Sequence, residues 1–261
     1  MKTLIVIPAR LGSWRFPDKP LTPIMGMPMI EHVYRRSCLA ANSDKVVLAI
    51  CENQLEDVCK KKGIDYVLTD PEQPTAIDRV GEAARLLGYT DHDDIVINVQ
   101  GDEPAVPPPV IEFVSELLLR HPDLGCANPV ERITDKLELE NPHRIKAVLS
   151  NNERLIYLTR QAIPSSTFDI DKEATFFRQT CVMAFRGDFL QQFCLMPQSN
   201  LELVEGIDML RLIQNDYPIA CSIIDDATYP VDVPDDIQTI ETLFENDQWF
   251  AKYRVSGADD K

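Results

Sequence analysis

The sequence predicts an α/β fold with a mostly parallel central sheet and a smaller β-rich insertion. Two observations carry that expectation. Runs rich in Val, Ile and Leu recur at about 3–8, 45–50, 65–69 and 94–99, and each is apolar throughout, as in strands covered on both faces. Helical patterns fall between them at about 28–40, 53–62 and 77–88, the alternation expected of parallel strands joined by crossover helices.

The later elements follow in order. A further helix is expected at about 107–120, opened by Pro107-Pro108-Pro109, since proline is tolerated in a first helical turn. From about 125 to 195 the character changes. Strand-like runs at 145–149, 154–159 and 179–186, with a polar stretch from Ser165 to Glu173, predict a β-rich insertion. Its Phe176, Phe177 and Phe185 are more apolar than a solvent-exposed insertion needs. Helices at about 201–215 and 234–247 flank a last strand at 218–224, and the polar tail from Ser256 to Lys261 is expected to fray. No repeat, low-complexity tract or linker divides the chain, so residues 1–261 are expected to form one domain.

Composition excludes several classes. Formal net charge is -16, whereas a nucleic-acid partner demands a basic face. No run approaches the ~20 apolar residues of a membrane span. The first apolar run ends at Pro8 and Arg10, too short for a signal peptide, which points to a cytoplasmic location. Cysteines 38, 51, 59, 126, 181, 194 and 221 form no Cys-x-x-Cys pair and the four histidines no His-x-x-x-His pair, so reduced thiols are expected and a zinc site is not.

The chemistry concentrates in residues 5–20, Ile-Val-Ile-Pro-Ala-Arg-Leu-Gly-Ser-Trp-Arg-Phe-Pro-Asp-Lys-Pro. Arg10, Ser13, Arg15 and Lys19 lie just past the carboxyl end of the first strand, where open α/β sheets bind ligands. Guanidinium forks and an ammonium suit phosphate oxygens. The loop carries neither the Gly-x-x-x-x-Gly-Lys-Ser/Thr spacing nor Gly-x-Gly-x-x-Gly. The strand near 94–99 leads into Asn98-Val99-Gln100-Gly101-Asp102-Glu103-Pro104, which offers Asp102 as a hard oxygen ligand for Mg²⁺. In Tyr229-Pro230-Val231-Asp232-Val233-Pro234-Asp235-Asp236, Asp232 read alone is a helix N-cap, a role that Asp235 or Asp236 could take instead.

With these motifs in place, the chain resembles the CMP-Kdo synthetases (3-deoxy-manno-octulosonate cytidylyltransferases) from residue 3 to about 240. The match covers the basic loop, Pro28-Met29-Ile30-Glu31-His32-Val33, the heptapeptide at 98–104, Leu155 to Pro164 and the motif around Asp232. The resemblance implies a Rossmann-like nucleotidyltransferase fold, and a homodimer joined through the insertion. It implies that CTP and a 3-deoxy-2-ulosonic sugar acid react to give a CMP-sugar and pyrophosphate, with Mg²⁺. By the same resemblance Arg10, Ser13, Arg15, Lys19, Arg79 and Gln100 hold the nucleotide, with Lys19, Arg10 and Asp102 at the reacting phosphate. Asp102 and Asp232 hold the metal, and Gln100, Arg160, Gln179 and Glu205 meet the acceptor.

The departures are specific. Asp18 replaces the family's Gly, and Thr75-Ala76-Ile77 replaces Ser-Gly-Thr before the matching Asp78 and Arg79. Gln179 stands for a histidine, and Met209 for a glutamine between the matching Glu205 and Arg211. Two lost polar contacts on the acceptor side point to a modified or different sugar acid. A cytidylyltransferase for another acidic acceptor, or a non-catalytic nucleotide-binding homologue, stays open at this level.

Overall fold

Strand β1 (Thr3–Pro8) is completely buried. A computed structural model describes residues 1–12, 16–165, 175–226 and 228–254. After β1 the chain makes a hairpin, β2 (Pro23–Ile24) and β3 (Met27–Pro28). Met25 and Gly26 at its tip both have positive φ, as a two-residue hairpin turn that matches strand twist requires.

Helix α1 (Met29–Ser37), β4 (Lys45–Ile50), α2 (Asn53–Lys62), β5 (Tyr66–Leu68), α3 (Ala76–Leu87), β6 (Ile95–Val99) and α4 (Pro108–Arg120) realise the expected alternation. β7 (Cys126–Ala127), β8 (Val130–Ile133), α5 (Lys136–Glu140), β9 (Lys146–Leu149), β10 (Leu155–Thr159), β11 (Phe176–Gln179) and β12 (Val182–Arg186) follow. Then come α6 (Gly187–Leu195), α7 (Asn200–Glu205), α8 (Leu210–Gln214), β13 (Ile223–Ile224), α9 (Asp236–Phe244) and α10 (Gln248–Arg254).

The central sheet has the order β5-β4-β1-β6-β12-β7. β5, β4, β1 and β6 are parallel, and β12 and β7 extend the sheet in antiparallel fashion. Because the chain passes from β1 to β4 on one side and later to β6 on the other, a crevice opens beyond the carboxyl ends of β1 and β6. Gly101 permits this close junction: a Cβ there would lie 2.8 Å from the Pro8 carbonyl oxygen.

A second sheet, β10-β9-β11-β8-β13, stands beside the first. The segment from about 125 to 195 therefore divides between two sheets. The expected strand at 179–186 is broken at Thr180-Cys181, with β11 in the second sheet and β12 in the first. The expected helix at 201–215 is two helices, since Gly206 ends α7 in the left-handed region. The expected 234–247 helix likewise stops at Phe244 before α10 begins. Of the expected strand at 218–224 only Ile223–Ile224 is regular, because Ala220 makes isolated bridges to Ala127 and Arg154.

Each face of the central sheet has its own core. Ile5, Ile7, Leu48, Ile97 and Val114 lie in one, and Leu4, Val6, Val47, Ile77, Val96 and Phe185 in the other. A third cluster joins Ile24 and Met29 to Phe244, Phe250 and Tyr253, so α10 is packed against α1. Among the described residues no helix is long and apolar enough to cross a membrane.

Candidate functional site

The crevice is a cleft of two connected lobes that share Arg10, Thr75, Ala76, Gln100 and Asp102. The inner lobe, about 330 Å³, lies between the ends of β1 and β6 and the start of α3. The outer lobe, about 520 Å³, reaches toward β11 and the α7–α8 turn. Arg10, Lys19, Arg79, Arg144, Arg160 and Arg178 line the two lobes against Asp102, Glu202, Asp208 and Asp232. The acidic chain thus keeps a local surplus of cations where an anionic ligand would enter.

Lys19 donates to Asp102 Oδ2 at 2.7 Å and to the Val231 carbonyl at 2.8 Å. Its side chain is 14 % exposed and that of Asp102 29 %. The Val231 N–H donates to the Asp102 carbonyl at 2.9 Å, which brings Asp232 beside the β6 end. Asp232 Oδ2 accepts from Arg144 at 3.0 Å, and Asp236 Oδ2 accepts the N–H groups of Asp232 and Val233. Asp236 therefore serves the start of α9, and the Asp232 carboxylate is left to the cleft.

Glu103, next to Asp102, is fully buried. Burial first, and the Asp102 charge second, raise its carboxyl to about 8, so it is mostly neutral at pH 7 and adds little charge behind Asp102.

The helix α3 presents its N-terminus to both lobes. The Thr75 hydroxyl accepts from the Asp78 N–H as a side-chain cap, and the aligned peptide dipoles favour negative charge here. Arg79 is buried, lines the inner lobe and donates to the Thr69 hydroxyl.

Arg160 is fixed by three main-chain carbonyls: Nε donates to Glu205 at 2.6 Å, Nη1 to Pro142 at 3.0 Å and Nη2 to Gly206 at 3.1 Å. A guanidinium has five N–H groups, so among the described residues one on each terminal nitrogen has no partner. Glu205 does not reach the cleft wall. Its carboxylate accepts from the Thr159 hydroxyl and the Arg160 N–H and so braces Arg160 from behind. Asp78 is likewise turned inward, paired with Arg211.

Arg10, Lys19, Gln100 and Asp102 meet in the cleft, as do Arg160, Gln179 and Asp232. Ser13 and Arg15 lie outside the described residues. Arg144, Arg178 and Asp208 line the cleft without having been singled out from sequence. Position just before or within the matching segments was their only signal.

The fold is that of the nucleotidyltransferases. It matches CMP:2-keto-3-deoxy-manno-octonic acid synthetase complexed with CTP at 30% identity and a TM-score of 0.85, covering 94% of this chain and 99% of that one. A cytidylyltransferase from Leptospira borgpetersenii, 13% identical with a TM-score of 0.60 over 98% of this chain and 95% of its own, shares the fold alone.

The chain belongs to the cytidylyltransferase family, whose model matches residues 4–219. The 8-amino-3,8-dideoxy-manno-octulosonate cytidylyltransferase of Shewanella frigidimarina is 37% identical over 242 residues, 92% of this chain and 98% of that one. The enzyme of the same name from Shewanella sediminis is 36% identical over 243 residues, 93% of this chain and 98% of its own.

Proposed function

We propose that this protein joins CTP to a 3-deoxy-2-octulosonic acid, giving a CMP-sugar and pyrophosphate. The observation that carries the reading is the two-lobed cleft, with Arg10, Lys19 and the α3 N-terminus at one end and a braced Arg160 at the other. One lobe suits a triphosphate and the other an acid. The family match and the names of the relatives supply cytidine and the octulosonic acid.

The anomeric hydroxyl oxygen attacks the α-phosphorus, and the bond from that phosphorus to the bridging oxygen of pyrophosphate breaks. No covalent enzyme intermediate is needed, so the protein contributes position and charge. Arg10 and Lys19, with Ser13 and Arg15 of the same loop, hold the phosphates. Arg79, Gln100 and the start of α3 shape the nucleotide lobe. Arg160 takes the acceptor carboxylate with the two N–H groups that no described residue takes, and Gln100 and Gln179 meet the sugar. Glu205 is a positioning residue for Arg160.

Asp102 and Asp232 fit Mg²⁺. They are hard carboxylate donors on one cleft wall, matching an ion that takes one or two carboxylates with substrate phosphates and water. When bound, the ion offsets charge on the attacked phosphate. The protein is further proposed to act in the cytoplasm as a homodimer joined through the second sheet.

Pyrophosphate release measured with each of the four nucleoside triphosphates, against a panel of ulosonic acids with Mg²⁺, tests the reading. Release with CTP and an octulosonic acid is the expected result. No release with any pairing overturns it.

A further inference from the structure

Asp232 is engaged by a cation of the protein itself. Arg144 Nη1 donates to its Oδ2 at 3.0 Å, with the two side chains 20 % and 17 % exposed. Water reaches this pair only in part, so its charges are screened less than those of an open surface pair. The bond spans 88 positions and joins the loop before β9 to the turn before α9. Asp102 is held in the same manner by Lys19. Lys19 lines the inner lobe, however, whereas Arg144 lines the outer one and does not reach the inner.

Three donors hold the main chain around Arg144. Lys146 is fully buried, and its ammonium donates to the carbonyls of Asn141 at 2.8 Å and Arg144 at 2.7 Å. Arg160 donates to the Pro142 carbonyl, and the Arg144 N–H to that of Asn141. With the loop held, only the Arg144 side chain is left to change partner. Four of its five guanidinium N–H groups have no acceptor among the described residues. Arg144 and Arg160 thus present unused donors from one rigid loop to the same lobe.

A guanidinium and a divalent cation on one carboxylate would repel each other. We propose that Arg144 gates Asp232: it gives up the carboxylate when a divalent cation binds there, and its guanidinium then joins Arg160 on the acceptor's carboxylate. Metal and acceptor therefore bind with positive coupling, each raising the affinity of the other by the same factor. The inference rests on the proposed transfer to a sugar acid. It gives Arg144 a part that neither the phosphate loop nor the metal carboxylates have.

The first measurement titrates Mn²⁺ into the nucleotide-free protein and counts the unbound ion by electron paramagnetic resonance. Arg144→Gln is expected to bind Mn²⁺ about fivefold more tightly than wild type, at the low end of such couplings. Arg144→Lys keeps the charge and is expected to lie near wild type. The second follows binding of 3-deoxy-manno-octulosonate by calorimetry, in EDTA and in saturating Mn²⁺. Wild type is expected to gain about fivefold in affinity from the ion, and Arg144→Gln to gain little. Unchanged Mn²⁺ affinity in Arg144→Gln overturns the gate. So does tighter Mn²⁺ with no gain for the acid in wild type, or with an equal gain in both proteins, which is simple charge repulsion. Absence of pyrophosphate from CTP and the acid overturns the transfer reading instead, and the Mn²⁺ titration still decides whether Arg144 competes for Asp232.

Discussion

Replacing Arg211 by methionine keeps an unbranched side chain over the Phe193 ring, which the guanidinium now covers at 4.1 Å. It also removes the counter-charge of two carboxylates. Arg211 is 1 % exposed, Glu202 2 % and Asp78 4 %, so water cannot replace what is lost. Removing one partner from a buried ion pair costs about 3–5 kcal/mol. At about 2–4 °C per kcal/mol for a chain of this size, the melting temperature should fall by roughly 10 °C.

Thermal unfolding followed by circular dichroism at pH 7.5 measures this. A triple variant, Asp78→Asn, Glu202→Gln and Arg211→Met, removes the charges together and should recover most of the loss. Burial, the largest single effect, would raise the Glu202 carboxyl, but the hydrogen bonds from Arg211, the Ser199 N–H and Gln198, with the Arg211 charge, together outweigh it and the net direction is down. A carboxyl lowered in the folded state contributes stability above its unfolded value, and that contribution disappears as pH falls through the folded value. The gap between wild type and Arg211→Met should therefore narrow in acid. A loss below about 1 kcal/mol in the single variant, or a triple variant no more stable than the single, would refute the uncompensated-charge argument.

Asp102→Asn removes the charge facing Lys19 and is expected to lower kcat by ~10²-fold or more with the fold intact, and Asp232→Asn likewise. Normal pyrophosphate release at saturating Mg²⁺ would remove either residue from the metal site. His32 is buried between the Ile24 carbonyl and the Tyr253 hydroxyl, and burial lowers its imidazole to about 4. The unfolded chain then binds the proton first, so stability is complete above the unfolded value near 6.5 and is lost as pH falls toward 4. Urea midpoints at pH 7.5 and pH 4.5 should differ more in wild type than in His32→Gln. For the proposed homodimer, light scattering at micromolar concentration should give twice the chain mass, and a monomer would reject it.

The parallel half of the sheet was readable because β1, β4 and β6 are apolar on both faces, a pattern that few other structures produce. The break between β11 and β12 was not. Residues 179–186 stay largely apolar across Thr180 and Cys181, and periodicity carries no mark of a strand passing from one sheet to another. Gly206 did offer a signal inside the expected 201–215 helix, since a left-handed cap is a common glycine role.

In the cleft, Lys19 and Asp102 were legible from local motifs, and the structure joins them across 83 positions. Asp78 illustrates the limit. Its neighbour Arg79 lines the cleft, whereas Asp78 faces inward because Arg211, 133 positions away, is its partner. Only the folded chain reveals such a partner.

β7 and β12 are neighbours at the edge of the central sheet, and the chain between them builds most of the second sheet. That excursion leaves and returns through adjoining strands, like a pocket sewn to a coat along one seam. Arg144, Arg160 and Gln179 hang on it, while Arg10, Arg79 and Asp102 belong to the garment. A transplanted excursion would have to respect the β7–β12 seam, the contacts of β8 with β13, the bridge from Arg154 to Ala220, and the bonds that tie Arg144 to Asp232 and Arg160 to Glu205 and Gly206. An exchange of the half proposed to hold the acceptor must therefore carry those partners with it, while the half proposed to hold the triphosphate keeps its strand register.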